Sequence, residues 1–141
     1  MSSDKNQNGL WGDLPDISDT ASPMQILEDQ AALLSSATGG ALKGVVGRRA
    51  GPDMDKVFAT LYVVAPFLDG YRYSVCEISY DPANQFDVRL LPHASANAGP
   101  VFCRDENQFR EKLGAILQSE SVRNAITSLI RESRVRSRKD G

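Results

Sequence analysis

The stretch from Val57 to Tyr80 leaves this chain few folding options. Val57, Ala59, Leu61, Val63 and Ala65 alternate with Phe58, Thr60, Tyr62 and Val64, a run whose β-branched and aromatic content suits a strand buried on at least one face. Pro66 ends it, because it lacks the amide proton a sheet needs. Asp69-Gly70 supplies a turn, and Tyr71 to Tyr80 resumes the extended pattern, so the pair is expected to form an antiparallel hairpin. Upstream, Ala41 to Arg49 carries Leu42, Val45 and Val46 broken by Gly44 and Gly47, the pattern of a weak edge strand. Downstream, Phe86, Val88 and Leu90 alternate with Asp87, Arg89 and Leu91 until Pro92 closes the run.

Helices flank this β-rich centre. Ser22-Pro23-Met24-Gln25 offers a capping hydroxyl, a proline at the first helical position and a glutamine at the capping-box position. Met24, Leu27, Ala31 and Leu34 then share one helical face, and Gly39-Gly40 ends it near Ala37. Asp105 to Gln108 repeats the capping logic ahead of Phe109, Leu113, Ile116 and Leu117. Ser119 or Ser121 can cap a third helix carrying Val122, Ile126, Leu129 and Ile130. The order implies an α+β domain: an antiparallel three- or four-stranded meander with an N-terminal helix and two C-terminal helices packed on one face. Residues 1–22 read as a disordered acidic arm, 23–131 as one domain and 132–141 as a basic tail.

The 16 basic and 18 acidic residues leave a net charge of -2, which argues against a globally basic nucleic-acid binder. The most apolar uncharged run, Val57 to Leu68, is too short to cross a membrane, and the N-terminus lacks the basic-then-apolar layout of a signal peptide. A cytoplasmic location without membrane association is therefore expected. Cys76 and Cys103 allow at most one bridge, and a reducing compartment keeps them as buried thiols.

The residues that carry chemistry are few. Gly39, Gly40, Gly44 and Gly47 lack the Lys-Ser or Lys-Thr that would follow in a phosphate-cradling loop. His93 is the only histidine, so an imidazole base must be this residue, with Cys76 or Cys103 as its thiol partner. Three soft ligands without a Cys-x-x-Cys pair do not make a zinc site, and Asp53 and Asp55 have no nearby ligands to complete a cation loop. No cofactor and no metal are implied. Glu77, in a mostly apolar strand, either faces solvent or pairs with Arg72 or Arg89 across the sheet.

Charge is concentrated at the two ends. Residues 1–22 carry a net -3, yet contain the apolar island Leu10, Trp11, Leu14 and Ile17, which has the form of a docking peptide for a groove or sheet edge of its own chain, of a neighbouring subunit or of another protein. The last twenty residues carry Arg123, Arg131, Arg134, Arg136, Arg138 and Lys139 against Glu132 and Asp140, net +4. Arg131, Arg134, Arg136, Arg138 and Lys139 suit phosphate contacts, although no aromatic residue interleaves with them to stack a base. The expectation is a small non-catalytic domain that binds another protein, or a second copy of itself, through its sheet edge, its C-terminal helices or the Leu10, Trp11, Leu14, Ile17 segment. RNA or DNA binding by the arginine cluster and a small thiol/histidine enzyme are the two alternatives.

Overall fold

The computed structural model describes residues 10, 12–13, 21–50, 56–93 and 99–140, the side chains of 50 and 137–140 excepted. Helix α1 spans Pro23–Ala37, and Ser22 Oγ accepts from the Gln25 amide at 3.0 Å. The Gln25 side chain reaches forward to Asp29 at 2.9 Å instead of back to the cap, so half of the capping box is used. Strands β1 (Lys43–Ala50), β2 (Val57–Ala65), β3 (Tyr71–Tyr80), β4 (Val88–Pro92) and β5 (Val101–Cys103) follow, then α2 (Glu106–Leu117) and α3 (Glu120–Asp140). The five strands form one antiparallel sheet in the order β1-β2-β3-β4-β5. The architecture is thus the expected α+β meander with one strand more than expected, since β5 is too short to show an alternation.

The β2–β3 connection is a 3-10 turn at Pro66–Leu68 closed by Asp69 and Gly70, both at positive φ (59° and 76°), with the Gly70 amide donating to the Ala65 carbonyl at 3.2 Å. Between Leu61 and Tyr62 the register with β3 slips by one, leaving Val75 unpaired between Ser74 and Cys76. This bulge puts Val75 and Cys76 both into the core and turns Arg72 and Ser74 to the opposite face.

One face of the sheet carries the whole apolar core. Ile26 and Leu27 of α1, Phe109 and Leu113 of α2 and Val122 of α3 pack onto Leu61, Val63, Ile78, Val88 and Leu90, all buried. Burial of these side chains, each worth about 2 kcal/mol, is the main stabilising term. Gly44 marks the tightest approach: a Cβ there would stand 2.3 Å from the Ala31 carbonyl oxygen, and its amide donates to Ser35 Oγ at 3.0 Å. Helix α2 is capped by Asp105, which accepts from the Gln108 amide at 2.8 Å, while Gln108 Oε1 accepts from the Arg104 amide at 2.7 Å. Ser119 Oγ accepts from Val122 at 3.4 Å, and α3 runs on through the basic residues to Asp140. No described helix is long and apolar enough to cross a membrane.

Candidate functional site

All three helices lie on the core face, so the other face of the sheet is uncovered by any described element. Strand alternation and register decide what it presents: Lys43, Val45, Gly47 and Arg49 from β1, Phe58, Thr60, Tyr62 and Val64 from β2, Arg72, Ser74, Glu77 and Ser79 from β3, Arg89 and Leu91 from β4, and Phe102 from β5. On a chain of net charge -2, the paired strands thus carry Lys43, Arg49, Arg72 and Arg89 against Glu77 alone on this face.

The side chains here are organised. Arg49 bonds Glu77 at 3.0 Å and lies over the Phe58 ring at 4.6 Å from its centroid. Arg72 lies over the Tyr62 ring at 5.1 Å. Such stacking contributes about 0.5–1 kcal/mol at exposed sites and leaves the guanidinium fork free to donate. Tyr62 in turn reaches over β1, where a Cβ at Gly47 would stand 3.1 Å from its ring. Ser74 Oγ and His93 Nδ1 are hydrogen-bonded, and the His93 amide donates to the Val75 carbonyl at 2.9 Å. Together Gly47, Arg49, Tyr62, Arg72 and His93 border a shallow depression of about 420 Å³, within the size range of ligand sites.

Glu77 sits on this face with its side chain 14% exposed, and its partner is Arg49 rather than Arg72 or Arg89. Arg49 on β1 reaches Glu77 on β3 diagonally across β2, where Arg49 pairs with Phe58 and Glu77 with Thr60. The thiols lie elsewhere. Cys76 and Cys103 are buried on the core face, whereas His93 is on the open one, so the sheet does not bring a thiol to the imidazole. Burial pushes the Cys76 thiol up to about 12 and raises that of Cys103, the latter against the opposing pull of Lys112. Neither is poised as a thiolate nucleophile. Ser74–His93 is a hydroxyl–imidazole contact through Nδ1, and among the described residues no carboxylate bonds the ring to complete a Ser-His-carboxylate triad. No cluster of three or more metal-ligating side chains occurs among the described residues.

Of the docking segment, Leu10 is fully exposed, while Trp11, Leu14 and Ile17 lie outside the described residues, as do Asp53 and Asp55. Arg131, Arg134 and Arg136 are exposed on α3, and the helix also carries Arg138 and Lys139. Sequence reasoning missed Arg49, Ser74 and Phe102 as members of one surface. The usable signal was the alternation of β2, which sets Phe58, Thr60 and Tyr62 opposite the core positions. On the other side of the sheet, α1 and α3 leave an apolar cleft of about 260 Å³ lined by Ala31, Leu34, Val63, Leu117 and Ile126, with Leu33 at its rim 60% exposed. No protein-family model, curated protein or solved structure matches the chain at a significant level.

Proposed function

We propose that the protein is a small non-catalytic binding module whose working surface is the open face of the sheet, and that its partner presents negative charge there. The observation that carries this reading is the concentration of Lys43, Arg49, Arg72 and Arg89 on that face of an otherwise acidic chain. A surface of one sign speeds encounter with a partner of the other and sets its orientation. Arginines already stacked on Phe58 and Tyr62 lose less rotamer freedom on binding, so more of each contact appears as affinity. The test is charge reversal: Arg72→Glu with Arg89→Glu is expected to abolish capture of an immobilised polyanion while leaving the melting temperature within a few degrees. Retained capture would refute the assignment of this face.

Docking of another protein is a second reading, favoured by the apolar cleft between α1 and α3 and by the exposed Leu10. Its occupant is the Leu10, Trp11, Leu14, Ile17 segment of a second copy, whose apolar side chains match the cleft lining. Sedimentation of the full chain tests it: a dimer that Trp11→Ala converts to monomer supports the reading, and a wild-type monomer at all concentrations ends it.

A further inference from the structure

Resting on the reading of the open face as the binding surface, we infer that its occupant is single-stranded nucleic acid. The register aligns Arg49, Phe58, Ser79, Arg89 and Phe102 in one row across all five strands. Arg49 stacks on Phe58 at one end of the row, and Phe102 stands 61% exposed at the other, directly opposite Arg89. With strands about 4.8 Å apart, the two rings are separated by about 14 Å. Tyr62 stands further along β2 on the same face, with Arg72 stacked on its ring.

Cations interleaved with aromatic faces match the two chemistries of an unpaired nucleic-acid strand. Guanidinium groups take its phosphates, and rings and guanidinium planes stack its bases. An acidic peptide would satisfy the arginines but give Phe102 nothing to stack on. A duplex buries its base faces, so the rings favour the single-stranded form. Stacking reads no base edge, and the binding is therefore sequence-tolerant. The C-terminal arginines add charge without an aromatic partner, and on this inference they strengthen attraction but do not form the site.

The experiment is fluorescence anisotropy of the full chain with labelled oligodeoxythymidylate and oligouridylate of about twenty nucleotides, competed with polyglutamate. Expected is binding whose logarithm falls with log salt at a slope of about -3, four cations each contributing about 0.7. Phe102→Ala and Phe102→Leu should both weaken it about tenfold, and Arg72→Glu with Arg89→Glu should abolish it. The leucine variant keeps an apolar strand residue without a π face, which separates stacking from folding. Efficient competition by polyglutamate together with intact binding by both Phe102 variants would overturn the inference while leaving the open face as an anion-binding surface. Binding that ignores the arginine reversal but disappears when Arg131, Arg134, Arg136, Arg138 and Lys139 are all changed to glutamine in the full chain would overturn both. No oligonucleotide binding, with arginine-dependent capture of polyglutamate, would overturn the nucleic-acid inference alone.

Discussion

Gly44 and Gly47 occupy the same edge strand, one facing each side of the sheet, and they show how differently the two faces are constrained. At Gly44 an added Cβ meets the backbone of α1, with Ala31 O, Cα and C all within 2.7 Å. At Gly47 it meets only the Tyr62 ring, at 3.1 Å. The core face is limited by volume, because helix backbones rest on it and cannot yield without moving the whole layer. The open face is limited by charge and by the reach of side chains that can rotate. Gly44→Ala is therefore expected to be the most damaging alanine substitution among the described glycines, at a cost of about 2–4 kcal/mol in urea unfolding. Gly47→Ala should cost less than about 1 kcal/mol and weaken oligonucleotide binding a few-fold by tilting Tyr62. Equal stability losses at the two glycines would break the contrast.

Proton binding separates the faces as well. The titratable groups raised by burial include Cys76, pushed up to about 12, and Tyr80, both on the core side of β3. In the unfolded chain the Cys76 thiol ionises near its ordinary value of 9.0, whereas the folded chain still holds that proton. The folded state then binds more protons than the unfolded one, so stability falls as pH rises from 9.0 towards 12, by about 1 kcal/mol per pH unit for this group. Tyr80, raised from 10.0 chiefly by desolvation, adds the same sign at higher pH. Urea midpoints across this range should fall more steeply for the wild type than for Cys76→Ala. Native Cys76 should also resist a thiol reagent until the protein unfolds; rapid native labelling would mean that this face is not closed.

The core face was legible in the sequence for a physical reason: period-2 and period-3.6 patterns report burial, and burial is what the helices and this face share. Met24, Leu27, Ala31, Phe109, Leu113 and Val122, all assigned by spacing, are all buried. The open face was harder to read because its composition depends on register between strands distant in sequence. Strict alternation along Tyr71 to Tyr80 groups Arg72 and Ser74 with Cys76, on the core side. The bulge at Val75 reverses that segment and delivers both to the open face. Phe102 was missed with β5, a strand of three residues. Arg49 bonds Glu77 across an intervening strand, a diagonal contact that no local pattern records.

The helix caps test the core-face layer from its rims. Ser22→Ala and Asp105→Ala each remove a side-chain acceptor from an otherwise unpaired amide, that of Gln25 or Gln108. Each should cost about 1 kcal/mol without altering affinity at the open face. A cap variant that loses binding as well would indicate that the helical layer and the open face are coupled through the sheet.

The smallest stability effect is expected at Arg49 and Glu77, where the contrast between the faces can be refined. The Glu77 side chain is 14% exposed but that of Arg49 is 58% exposed, so solvent screens the pair from the Arg49 side, and a double-mutant cycle should give a coupling of about 1 kcal/mol. Glu77→Gln keeps the shape and a hydrogen-bonding oxygen for Arg49 while removing the single carboxylate the paired strands place among these cations. Urea unfolding should barely change, whereas affinity for an oligonucleotide should rise a few-fold, because the one carboxylate that repels phosphate on this face of the paired strands is gone. A cost of several kcal/mol would instead place Glu77 in a buried polar network, and the open face would then have to be described by packing, as the core face is.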